Sequence, residues 1–85
     1  MRHAGAATLG ALSDLLARLR THPALVEKRP GIFYTRGKAF LHFHEDQAGF
    51  FADLRLGGEW QRLPVSSPQE QAELLAVIVG AHLHR

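Results

Sequence analysis

Cysteine is absent from the 85 residues of this chain, and its absence excludes several kinds of chemistry. A chain without thiols cannot form disulfides, thiolate nucleophiles or metal centres that depend on sulfur ligands. Any metal site would therefore have to use histidine, aspartate or glutamate. The chain contains six histidines and eight acidic residues, so ligands of that kind are present.

The chain also lacks the concentrated apolar or basic stretches that indicate a membrane or a nucleic acid. No apolar run reaches the roughly 18 residues of a membrane-spanning helix, and no apolar core of a secretory signal follows the N-terminus. We therefore expect a cytoplasmic protein that does not contact a membrane. Ten basic and eight acidic residues are scattered along the chain and give a net charge of +2. Nucleic acid is not the expected partner, because its binding normally requires a dense basic surface.

Length and composition predict one globular domain over residues 1–85. Hydrophobic residues make up 46% of the chain and charged residues 21%, as in an ordinary folded protein. Residues 1–7 have small side chains without a period, so we expect a loose arm there. Leucines at helical spacing between Leu9 and Leu19 predict a helix with Thr8 as its N-cap.

The C-terminal helix has the clearest predicted start. Ser67, Pro68 and Glu70 have the spacing of a capping box with proline at the first helical position, and they predict a helix over residues 68–81. Apolar residues cover a wide arc of that helix. We therefore expect most of it to be buried.

Between the helices, alternating apolar and polar residues predict four strands joined by short turns, after a connector at residues 24–29. This pattern indicates an α+β fold, in which a four-stranded antiparallel meander carries both helices on one face in the order αββββα. The predicted strands are residues 32–35, 38–45, 50–56 and 59–65.

The turn lengths predict how these strands pair. A four-residue turn between the second and third strands sets His42 opposite Asp53, and the two-glycine turn that follows sets Asp53 opposite Arg62. The two-residue turn before the second strand sets Ile32 opposite Leu41. A slip of one residue would move every side chain to the other face, so the apolar pattern supports this register.

The sheet face turned away from the helices, called here the outer face, is predicted to carry aromatic side chains that no third layer covers. An uncovered apolar surface usually marks an interaction site, and the same face of a second copy would cover it. We therefore expect a homodimer. Our leading interpretation is a non-enzymatic binding module whose outer face also holds a small polar or anionic ligand. The residues expected in the dimer interface are Phe33, Phe40, Phe51 and Trp60.

Polar residues on the outer face suggest a second interpretation, a metal-dependent or general-base enzyme centred on His42, His44 and Asp53. His42 and His44 lie about 6.5 to 7 Å apart along one strand, so both could contact one divalent metal ion. Asp53, or Asp46 in the turn, would complete such a site. Two alternatives are a metal-free general base made of His42 and Asp53, and cross-strand polar pairs with no chemical role. The candidate ligand-binding residues are His42, His44, Asp53, Arg55 and Arg62.

One stretch of the chain resembles a known family. Residues 40–46, FLHFHED, and then residues 51–54, FADL, resemble small bacterial domains grouped as the luciferase-domain family, which show His-x-His-x-Asp and then x-Asp after a short turn. The resemblance implies a site at His42, His44, Asp46 and Asp53. It implies no luminescence chemistry, because that family is largely uncharacterised. This chain lacks the longer C-terminal half of those domains.

Overall fold

The computed structural model describes residues 2–82, and side chains as far as residue 80, as an antiparallel sheet packed against helices. The predicted α+β class is confirmed. The predicted number of strands is wrong, since the described residues form six strands rather than four. None of the helices described is long and apolar enough to cross a membrane. In chain order the elements are β1 (Arg2–His3), α1 (Ala6–Ala11), α2 (Ser13–Arg20), β2 (Val26–Arg29), β3 (Ile32–Thr35), β4 (Lys38–Asp46), β5 (Gly49–Leu56), β6 (Glu59–Pro64) and α3 (Pro68–His82).

The sheet contains the predicted meander with two further strands. Strands β3 to β6 lie side by side in chain order, each antiparallel to the next. Strand β2 extends the sheet beyond β3. Strand β1 pairs with the C-terminal half of β4, in line with β3, which pairs with the N-terminal half.

Strand β2 lies in the segment that the sequence pattern predicts as a connector. Three of its four residues are charged, so it shows no apolar alternation. Its Glu27 accepts two hydrogen bonds from Arg20 on α2, at 2.5 and 3.0 Å, and one from the backbone N–H of Gly31, at 2.8 Å. Contacts between separate elements thus hold a strand that local sequence does not indicate.

The register of the central strands is as predicted. His42 lies opposite Asp53 and Asp53 lies opposite Arg62, while Leu41 and Leu54 form an apolar pair. Strands β4, β5 and β6 begin and end within one residue of the expected positions. The two-glycine turn is as predicted, whereas the turn between β4 and β5 has two residues rather than four, because Asp46 and Gly49 also pair.

The register prediction is wrong between β3 and β4. A shift between Phe33 and Tyr34 places Phe33, and not Ile32, opposite Leu41. A bulge of this kind adds a residue to one strand and changes which side chains face the core. Phe33 is therefore only 1% exposed, and Phe40 is also buried, at 4%. The prediction that these two rings lie uncovered on the outer face is wrong.

The N-terminal residues are not the predicted loose arm. Arg2 and His3 pair with Glu45 and His44 of β4, and the backbone N–H of Ala4 donates to Phe43 at 3.1 Å. These pairs form strand β1 and bring the start of the chain onto the sheet.

The first helix also differs from its prediction. Helix α1 begins at Ala6 with Gly5 as its N-cap, and Leu12 separates α1 from α2, so the predicted single helix is two. Thr8, the predicted N-cap, lies inside α1 and is buried. Its hydroxyl donates instead to the carboxylate of Glu45 on β4.

One hydrophobic core joins the helices to the sheet. The predicted capping box of α3 is confirmed, because the backbone N–H groups of Ser67 and Glu70 each donate to the other's side chain, at 3.0 and 3.1 Å. Helix α3 buries Leu74 and Ile78, but Val77 is exposed, so the expectation that most of this helix is buried is wrong. The buried core residues are Leu12, Leu15, Leu16, Leu19, Leu25, Phe33, Phe40, Leu41, Phe43, Ala52, Leu54, Val65, Leu74 and Ile78.

Candidate functional site

Three histidines meet on the outer face of the sheet. His42 and His44 are two residues apart on β4, and β1 places His3 directly opposite His44. The centre of the His44 ring lies 4.7 Å from that of the His3 ring and 4.8 Å from that of the His42 ring. One ligand nitrogen from each ring lies within 4.8 Å of the other two. We call His3, His42 and His44 the histidine cluster.

His3 is the member of the cluster that sequence reasoning missed. It lies in the segment predicted as a loose arm, and 39 positions separate it from His42 along the chain. A two-residue strand is too short to show a period, so the sequence contains no local signal for it. The one available signal is charge complementarity. Arg2, which precedes His3, can form an ion pair with Glu45, which follows His44.

The carboxylate of Asp53 contacts the cluster differently from the prediction. Its backbone pairs with His42, but its Oδ2 lies 2.8 Å from Nε2 of His44, in an ion-pair contact without the angle of a hydrogen bond. Arg62 donates to both oxygens of Asp53, at 2.8 and 3.0 Å. These hydrogen bonds from Arg62 lower the pKa of Asp53, so the carboxylate stays ionised at neutral pH.

His42 lies in a drier environment. The Trp60 ring is 4.8 Å from its ring, centre to centre. Burial lowers the pKa of His42, and the neighbouring His44 lowers it further. Its ring is therefore neutral at pH 7, which is the form that binds metals. Its Nδ1 is buried and accepts no hydrogen bond from any described residue.

Of the other predicted site residues, Arg62 lies beside the cluster, whereas Arg55 and Asp46 do not. Arg62 contacts Asp53 and so belongs to the surroundings of the cluster. The guanidinium of Arg55 lies over the Trp60 ring, 4.7 Å from its centre. The side chain of Asp46 accepts a hydrogen bond from the backbone N–H of Ala48 within its own turn. The structure thus brings His42, His44, Asp53 and Arg62 together and leaves Asp46 and Arg55 apart from them.

The cluster has the composition of a transition-metal site. Tetrahedral metal–nitrogen bonds of about 2.0 to 2.1 Å require ligand nitrogens roughly 3.3 to 3.4 Å apart, so modest side-chain rotations would bring these rings into place. Asp53 lies where a carboxylate commonly supports a histidine ligand from outside the first coordination shell. The same carboxylate–imidazole contact could also orient His44 for proton transfer.

Comparison with known proteins finds no matching family model, no matching curated protein and no matching solved structure. The resemblance to the luciferase-domain family therefore stays a prediction.

Proposed function

We propose that this protein binds a divalent transition-metal ion, such as zinc, through His3, His42 and His44. The observation that carries the proposal is the convergence of three imidazoles whose ligand nitrogens lie within 4.8 Å of one another. Two of the imidazoles come from β4 in the middle of the sheet, and the third comes from β1, which is distant from β4 in the sequence.

The hydrogen bonding of the cluster supports a metal over histidines with a purely structural role. Buried polar atoms in folded proteins nearly always have hydrogen-bond partners. Nδ1 of His42 is buried and has none among the described residues. A metal ion would give this ring nitrogen a partner. Three rings this close would also repel one another if protonated, whereas one shared cation binds their neutral forms.

The ligand set indicates which ion and what kind of site. Imidazole suits zinc, copper, nickel and iron, and the cysteine-free chain offers no soft thiolate. Three protein ligands leave one position of a tetrahedral zinc open to water or to another ligand. His3 is exposed, so that position would face solvent. These features support a site that exchanges ligands, rather than a sealed structural metal.

Elemental analysis and calorimetry on protein prepared without an affinity tag test the proposal. We expect one zinc ion per chain, and we expect His3→Ala and His44→Ala each to lower the affinity by more than the roughly 10- to 100-fold typical of an outer-shell change. His22→Asn is the matched control, since His22 lies outside the cluster. Absence of zinc binding, or equal loss in the control, would refute the proposal.

A second candidate function is self-association through the outer face. Trp60 supports it, because this large side chain is 43% exposed, and Phe51 on the same face is half-buried. Burial of Phe33 and Phe40 in the chain's own core leaves a smaller apolar surface than the sequence predicts. Sedimentation of the wild type and Trp60→Asp would test this function. A dimer that the substitution dissociates supports it, and a monomeric wild type refutes it.

A further inference from the structure

A second concave surface lies at the opposite end of the outer face from the histidine cluster. It is a cleft of about 440 Å³ between the β3–β4 turn and the β5–β6 turn. That volume falls within the range of sites for small ligands. The residues that line the cleft are Thr35, Arg36, Lys38, Ala39, Phe40, Arg55, Leu56, Gly57 and Gly58.

The charge of the cleft is of one sign. Arg36, Lys38 and Arg55 line it, and none of the other described lining residues is acidic. Elsewhere in the described chain, Arg20 and Arg62 each form an ion pair with a carboxylate. The cleft therefore gathers three cations whose charge no neighbouring carboxylate in its lining balances, which favours an anion there.

Arg55 is held in position without using its hydrogen-bonding capacity. Its guanidinium lies over the ring of Trp60, 4.7 Å from the ring centre, in a cation–π contact. Its Nε is buried and donates to no acceptor in the described part of the chain. A guanidinium that is already oriented but lacks an acceptor is suited to a carboxylate or a phosphate, which can accept two of its N–H groups at once.

The cleft also has an apolar wall. Phe40, Leu56 and Ala39 line it beside the cations. We propose that this cleft binds a small organic anion, in which a carboxylate or phosphate group contacts Arg55 and Lys38 and an attached apolar or aromatic group packs along that wall. The inference is independent of the metal proposed above, because none of the three histidines lines the cleft.

Amide chemical shifts measured by NMR test the inference directly. The probes are phenyl phosphate and benzoate, which combine both features, and inorganic phosphate and benzyl alcohol, which each have one. We expect the first two to bind saturably and to shift the amides of Gly37, Gly57 and Gly58, at the two turns. Each single-feature probe should bind about tenfold more weakly or worse. Binding by either combined probe supports the proposal, and the tighter one identifies the anionic group.

Substitutions give the controls. Lys38→Gln, at an exposed position, and Arg55→Gln should each weaken phenyl phosphate by about tenfold, as expected for lost hydrogen bonds to a charged group. Arg18→Gln removes the same charge from the surface of α2 and should leave the affinity unchanged. His3→Ala should also leave it unchanged. Shifts centred on the histidines, shifts spread evenly over the surface, or equal weakening by Arg18→Gln would overturn the inference.

Discussion

Replacing Asp53 by asparagine separates the two roles that we assign to its carboxylate. The substitution keeps the size of the side chain and removes its charge. Asp53 is about 9% exposed, accepts two hydrogen bonds from Arg62 and lies 2.8 Å from His44. Breaking a fully buried ion pair costs about 3 to 5 kcal/mol. The Arg62 side chain is 49% exposed, so solvent screens the pair and we expect a loss of about 1 to 2 kcal/mol.

The effect of Asp53→Asn on zinc should be larger than its effect on folding. A carboxylate that supports a histidine ligand typically contributes 10- to 100-fold in metal affinity. Urea denaturation without metal would give the loss of folding free energy, and calorimetry with zinc would give the affinity. The pKa of Asp53 is lowered in the folded state, so its contribution to stability is present at neutral pH and is lost as the pH falls through that pKa. Asp53→Asn should therefore have a flatter stability profile in acid.

Asp46→Asn is the matched control for this prediction. Asp46 follows shortly after His44 on the chain, but its side chain binds the backbone of its own turn. Asp46→Asn therefore removes one negative charge near the cluster without removing a contact to an imidazole. If Asp53→Asn and Asp46→Asn lowered zinc affinity equally, the effect would be general electrostatics and our assignment of Asp53 would be refuted.

Three further predictions address the fold that supports the site. Glu45→Gln should loosen strand β1 and increase hydrogen exchange at residues 3–5, because Glu45 accepts hydrogen bonds from Arg2, Gly5 and Thr8. These bonds lower the pKa of Glu45 to about 2, so the wild type should keep this protection until the pH approaches that value. Unchanged exchange in Glu45→Gln would contradict the account. Phe33→Ala should lower the free energy of unfolding, measured by urea denaturation, by about 3 to 5 kcal/mol because the ring is buried. A loss under about 1 kcal/mol would indicate that the ring lies on the exposed outer face instead. Gly31→Ala should lower the melting temperature, because φ is 76° there and a methyl group would lie 2.6 Å from Leu9; a wild-type melting temperature would argue against that packing.

The part of the structure that sequence reasoning predicts is the part that local patterns determine. Alternation in β4 and β5, with a short turn between them, determines which residues lie opposite one another, and so predicts that His42 and Asp53 are neighbours. The capping box of α3 is local in the same sense, since Ser67 and Glu70 bond to each other.

The features that sequence reasoning misses depend on contacts between distant residues. Strand β1 exists because Arg2 and the start of α1 meet Glu45, and no period within the first residues indicates this. The bulge leaves Phe40 of β4 as the extra residue between Ala39 and Leu41, and it places Phe33 in the core, which the length of the turn after β3 does not predict. These two features change the outer face most, because one adds His3 to the site and the other removes an aromatic ring from the surface.

The measurement that tests the proposed metal site most directly is a zinc titration followed through the side-chain nitrogens of the histidines by NMR. We predict that one equivalent of zinc shifts the imidazole nitrogens of His3, His42 and His44 and leaves those of His22 in place. We also predict that His3→Ala abolishes the tight phase of the titration. Shifts in none of the three rings, or equal shifts in His22, would contradict a metal site on this face of the sheet.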